Sequence, residues 1–336
     1  MAVTRLSDAI VPEVFFPYMQ KITKEKSALY GAGVMADAPE IADKLAGGGR
    51  TFNMPFWRDL DNTESDIASD DPASEATPGK IDAGQDIALR QIRTRGWSTA
   101  DLVRELAGDD PMKRIGDRVG AYWGRQFDRI AIASINGVIA DNVANDSGDM
   151  VNDISNDVAG TPADTTLFSA SAVLDTAQTM GDAKQDLALL VMHSVVHNRL
   201  ASQQLIDYRR DAEGGVWWPY YLDYRIHVSD MCPAVAGTNQ TAYTTYLFGS
   251  GAVAWSESPV ATPVEVDRAP AKADGMGVEE LWTRRQFAIH PPGIKWTDTT
   301  ITGQFPTNAE LALAANWDRV YAERKMIPMA ILKTNG

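Results

Sequence analysis

Cysteine is almost missing: Cys232 is the only one in 336 residues. That excludes an intrachain disulfide and any cysteine-based metal cluster. A lone thiol between Met231 and Pro233 reads as a small buried apolar residue. Positive charge is scarce as well. Thirty-one Lys and Arg stand against 45 Asp and Glu, for a net charge of −14. Such a chain repels nucleic acid and anionic membranes at long range. This argues against a DNA-reading function without excluding a protein that surrounds DNA. No run reaches the ~18 apolar residues of a membrane helix. The segment MAVTRLSDAIVPEVFFPYMQ lacks the charged-then-apolar pattern and small-residue cleavage site of a signal peptide. The expectation is synthesis in the cytoplasm and no membrane partner.

Catalytic signatures are equally thin. His193 and His197 stand four apart, but a zinc protease pair needs a glutamate directly after the first histidine, and Ser194 is there. The pair is also split, with His193 ending a strand and His197 opening a helix. His227 and His290 lie in strand-like segments and read as packing or surface residues. Gly31–Ala36 matches the dinucleotide fingerprint in its letters, yet the charged KITKEKSALY precedes it where a buried strand is needed. There is no phosphate loop and no Gly-x-Ser-x-Gly elbow. No catalytic residue, cofactor or metal ligand is assigned. A metal-dependent hydrolase using His193 and His197 remains as the enzymatic alternative.

What the chain does have is one long helical stretch, Pro111–Ala140. Asp109 and Asp110 can accept from the free N–H groups of its first turn, and Pro111 suits the first helical position. Ile115, Val119, Tyr122, Trp123, Phe127 and Ile130 follow at steps of three and four, one apolar stripe. At ~1.5 Å per residue the rod is about 45 Å long. Gly116, Gly120 and Gly124 lie four apart, each costing about 1 kcal/mol relative to alanine. Either another backbone passes close to them, or they are tolerated in an ordinary amphipathic helix.

A second feature spans residues 51–98. TFNMPFWRDL and QDIALRQIRTRGW alternate as strands. The stretch between them is polar and bears proline and glycine. From Asp59 to Asp86 there are nine acids, Asp66, Asp70, Asp71 and Glu75 among them, and one base, Lys80. Arg90, Arg93 and Arg95 follow. A long hairpin with an acidic tip and a basic arm could neutralise itself against a neighbouring copy. From charge alone, a solvated loop beside an unrelated basic strand is the simpler reading. If the arginines do meet a neighbouring copy, reversing all three to glutamate is expected to stop or misdirect assembly and leave the monomer folded.

Residues 1–50 do not form a compact unit and should lie on something else. ADAPEIADKLAGGGR adds a short helix ended by Gly47–Gly49. After the long helix comes a polar, turn-rich stretch. A helix (SASAVLDTAQTM), a strand (LALLVMH) and a second helix (SVVHNRLASQQLIDY, capped by Ser194) then imply a layered α/β unit. RIHVSDM, AYTTYLFG, GAVAWSES and VEELWTRRQFAIH read as strands, and residues 259–277 as a loop-like crossing. Thr307 and Glu310 have capping-box spacing before a short helix.

This order of elements resembles the major capsid protein of tailed bacteriophages, the Hong Kong 97-type fold. LALLVMHSVVHNRLASQQLIDY, TTYLFGSGAVAW and NWDRVYAERKMIP are similar to a subgroup of phage coat proteins. The resemblance implies an α+β fold with an N-terminal arm (1–50) and an extended β-hairpin loop (51–98). It implies a peripheral domain with a spine helix (99–165) and a layered α/β axial domain (166–258). Residues 259–305 would return as peripheral strands, and 306–336 would add a C-terminal helix and strands. The implied function is structural, with hexamers and pentamers closing an icosahedral head around double-stranded DNA. Assembly would take place in the bacterial host cytoplasm, with a separate scaffolding protein, a portal and room for a decoration protein. Arg90, Arg93, Arg95, the acidic tip (Asp66, Asp70, Asp71, Glu75) and the face of Gly116, Gly120 and Gly124 are the candidate intersubunit contacts. Some relatives cross-link a loop lysine to an asparagine, but no asparagine here can be matched to Lys80. An encapsulin-like compartment shares the fold and is the second reading.

Overall fold

The computed structural model describes residues 27–336 except 61–62, 69, 72, 74, 76, 108–109 and 211–216. Expectations for residues 1–26, Asp61 and Asp109 therefore lie outside the described residues.

The spine helix runs Pro111–Asn145, five residues beyond the stretch expected from sequence. Asp110 caps it, its carboxylate accepting from the Met112 N–H at 3.0 Å. Its end is set by Asn142. That side chain accepts from the Met150 N–H at 3.0 Å and donates to Asp149 at 2.7 Å. Ser147 and Gly148 then turn the chain through the left-handed region, at φ 61° and 67°. The polar DNVAN segment hides this last turn, because its residues read as loop.

Val119, Trp123, Phe127 and Ile130 are buried, and Ile115 and Tyr122 pack half-buried beside them. This stripe meets a five-stranded sheet organised on Val278–His290. One side of that strand pairs antiparallel with Gln91–Ala100. The other side pairs with Val264–Ala269 and then Val253–Ser258. Met35–Asp37 closes the edge, parallel to Val253–Trp255. Val264–Ala269 corrects the loop expected over 259–277. Pro259 and Pro263 disguise it, but Val264 is buried and Val266 packs against the core.

Residues 27–46 sit on this same body. Buried Asp128 of the spine helix accepts from the Ser27 hydroxyl at 2.6 Å and the Leu29 N–H at 3.2 Å. A one-turn helix, Ala28–Ala32, stops at Gly33 with φ 86°. Helix Pro39–Ala46 then buries Ile41 and Leu45 against Phe52, Ala88 and Ala288.

The second sheet has eight strands. In order they are 151–153, 329–334, 241–249, 187–192, 224–228, 217–221 and 207–210, with 234–236 added on 241–249. Its central strands are buried on both faces by strict alternation. Leu189, Val191, Tyr246, Phe248, Met329 and Ile331 join the core of the spine helix. Leu190, Met192, Leu247, Ala330 and Leu332 instead pack under helices Ala170–Gln178 and Ser194–Ser202. Helix, sheet and spine thus form layers, as the alternation of elements in the sequence implies.

The chain's C-terminal part clamps onto the spine at Gly137. The Trp317 indole donates to the Leu311 carbonyl at 2.7 Å directly over that glycine. A Cβ at Gly137 would collide with the Leu311 carbonyl oxygen and the Trp317 ring nitrogen. Gly137→Ala is therefore expected to destabilise the subunit by about 1–3 kcal/mol, the usual range for overpacking. The urea midpoint checks this. An unchanged midpoint would mean the clamp shifts at little cost.

Candidate intersubunit surfaces

The hairpin is built from Thr51–Trp57 and Ala83–Leu89, paired antiparallel from Thr51↔Leu89 to Trp57↔Ala83. Its root is fixed. Asp86 is buried and does not belong with the acidic tip. Its carboxylate meets His290 Nε2 at 2.8 Å and accepts from the Gly293 N–H at 2.9 Å. The Phe56 ring meets Tyr321 edge-on at 5.0 Å. His290 is thus neither a surface residue nor plain apolar packing; it holds the hairpin to the end of the central strand.

Beyond the root, every described residue from Arg58 to Asp82 is exposed, Asp66, Asp70, Asp71 and Glu75 included. Trp57 is 71% exposed, Leu60 68% and Ile67 88%. Large apolar side chains held in water on a projecting arm mark an interaction surface. Charge counting over this loop passed them by. The signal lay in apolar residues inside a stretch that otherwise reads as solvated.

The three arginines separate. The Arg90 guanidinium donates to the carbonyls of Lys44 (3.3 Å) and Gly47, at the C-terminal end of helix 39–46. A cation is favoured there by the helix dipole. Arg93 donates to the Pro306 carbonyl and to Asn308 at 3.4 Å. Burial pushes its pKa below the usual arginine value, and nearby Glu310 offsets this in part. Both side chains are engaged within the subunit. Arg95 is exposed and has no side-chain hydrogen bond or ion pair among the described residues.

The glycine face is also uneven. Gly120 and Gly124 are buried, whereas Gly116 is half-buried. A Cβ at Gly116 would meet nothing within 4 Å. At Gly137 a backbone does pass close to the spine, with the Leu311 carbonyl over it.

His193, not Ser194, caps its helix, with Nδ1 accepting from the Val195 N–H at 3.2 Å. Its Nε2 lies 3.8 Å from Asp230. Among the described residues no group of three or more His, Cys, Asp or Glu is placed to hold a metal ion. The Cys232 thiol is buried, and burial pushes its pKa up to about 12. Among the described residues no helix is long and apolar enough to cross a membrane.

A spine helix laid on one sheet, a layered α/β unit and a projecting hairpin together define a phage capsid subunit of the Hong Kong 97 type. Solved structures share this fold. The chain superposes on the cyanophage Pam1 capsid with a TM-score of 0.56 at 10% identity, covering 93% of each chain. On the capsid of Ralstonia phage GP4 the TM-score is 0.52 at 10% identity, over 86% of this chain and 84% of the other. The particular family follows from sequence. The model of the Gp13-like family, described as major capsid protein 13-like, matches residues 110–328. The chain is 38% identical over 330 residues to the major capsid protein of Bacillus phage SPP1, 97% of each. The chain belongs to the Gp13-like major capsid protein family. It is a structural component of a phage head and self-assembles into the capsid shell. The compartment and hydrolase alternatives are not favoured.

Proposed function

We propose that this subunit forms hexamers and pentamers that close an icosahedral head around double-stranded DNA, joined by the hairpin of one copy lying on its neighbour. The observation that carries this reading is that every described residue from Trp57 to Asp82 is exposed and none of them belongs to a core of its own subunit. Assembly takes place in the host cytoplasm on a separate scaffolding protein, around a portal vertex. The subunit has no catalytic step to perform. The spine and five-stranded sheet act as the peripheral unit, and the eight-stranded sheet with its helices as the axial unit.

Arg95 is the arginine available to a neighbour's acidic tip. The triple reversal of Arg90, Arg93 and Arg95 would confound assembly with stability, because Arg90 and Arg93 hold the subunit together. Arg95→Glu alone separates the two effects. One exposed charge pair is worth about 0–1 kcal/mol, so reversal to repulsion at every interface of a shell is expected to lower shell yield several-fold. The melting midpoint of the unassembled subunit should not move. Normal shell yield, counted by negative-stain microscopy, would remove Arg95 from the interface.

A further inference from the structure

The solvent face of the spine helix carries an arginine stripe that the shell contacts above do not use. Arg114, Arg118, Arg125 and Arg129 are all exposed. At ~100° per residue they fall within an arc of about 60°. From first to last they span about 22 Å of helix. Arg118, Arg125 and Arg129 have no hydrogen bond or ion pair among the described residues. Lys113 flanks the stripe, and Asp117 is the one exposed acid between Met112 and Ile130. This single-signed strip stands on a chain of net charge −14.

The stripe borders a groove whose floor is Trp97, Ile115, Val119 and Tyr122. Trp97 and Tyr122 meet edge-on at 5.2 Å and are packed against the core. No large apolar side chain of the helix is exposed before Val143. Protein interfaces draw their energy from desolvated apolar and aromatic anchors, and here the apolar groups lie on the groove floor, packed against the core, and do not project from the helix. What it offers is a straight row of guanidinium groups, which stay charged and bind phosphate in bidentate fashion. About 22 Å of B-form duplex carries about six phosphates on each strand.

We propose that this stripe is a contact for the phosphate backbone of duplex DNA, placing the solvent face of the spine helix on the inner wall of the shell. This rests on the shell reading above. The acidic remainder of the chain keeps the genome from adhering broadly, and the stripe supplies a local, sequence-independent contact on each subunit.

The test uses the full chain and the variant R118Q/R125Q/R129Q, since glutamine keeps helix propensity close to that of arginine. Binding of a duplex of about 30 bp, several times the length of the stripe, is followed by fluorescence anisotropy between about 50 and 200 mM salt. The wild-type constant should fall steeply with salt, and the log–log slope of the variant should be shallower by about 2–3, near 0.9 per lost phosphate contact. Equal slopes, or no wild-type binding at about 50 mM salt, would overturn the proposal. Shell formation is scored in parallel. Loss of shells in the variant with an unchanged DNA slope would assign the stripe to a protein partner and also overturn it. If neither protein forms shells while the slopes differ, the DNA contact stands and the shell reading fails.

Discussion

A chain in which Asp59–Ile81 is replaced by Asn-Gly is expected to fold normally and form no shells. The strands that flank the excision already converge. Trp57 pairs with Ala83, and the Arg58 N–H donates to the Asp82 carbonyl at 2.8 Å. A two-residue type I′ turn fits such a ladder. No described residue of the removed segment belongs to an apolar cluster of the subunit. Its loss should therefore shift the melting midpoint by no more than about 2 °C, as for surface changes in a chain of this size. Assembly should respond very differently. Leu60, Ile67 and Ile81 leave with the acidic tip, and losing about 2 kcal/mol per contact weakens each pairwise association about 30-fold. Size-exclusion chromatography and negative-stain microscopy read both effects. Normal shells from this variant would show that the hairpin does not join subunits.

The largest loss of stability is expected from Glu257→Ala. Arg285 is fully buried, with 0% of its side chain exposed, and pairs with Glu257, which is 3% exposed. Its guanidinium also lies 5.8 Å from the centre of the Trp123 ring and 5.9 Å from that of Phe127. Burial pushes the Arg285 pKa down, and the Glu257 charge and hydrogen bond work against that. Removing the carboxylate leaves a buried cation against the spine helix. Breaking one side of such a pair costs about 3–5 kcal/mol. Replacing both groups together, Arg285→Met with Glu257→Leu, should recover most of that loss, because no buried charge is stranded. Urea denaturation of the two variants checks the pair. Equal destabilisation in both would show that shape, not charge, is what Glu257 supplies.

The sequence made the spine helix legible because its apolar period survives from Ile115 to Ile130, about four turns. It hid the helix end, because Asn142 is a helical residue whose side chain also holds the turn that follows. Strand Val264–Ala269 reads as loop because two prolines and a run of small residues outweigh a short V-E-V alternation. The layered unit was readable because helix, strand and helix follow at short range. The pairing of distant segments was not, and it gave Asp86 its buried partner His290 and took Arg90 and Arg93 into the subunit. Charge counts cannot separate an exposed acid from a buried one at the root of the same hairpin. Arg95, Trp57, Leu60 and Ile67 become the candidate contacts only once the fold shows which groups remain unused. Gly137 likewise looked ordinary, since the backbone that crosses it comes from residue 311.

Assembly is the most direct test of all. Mass photometry and negative-stain microscopy of the full chain, expressed alone and beside a candidate scaffolding protein, should show closed shells or rings of five and six subunits. A stable, monodisperse monomer or dimer under both conditions would contradict a shell joined through the hairpin.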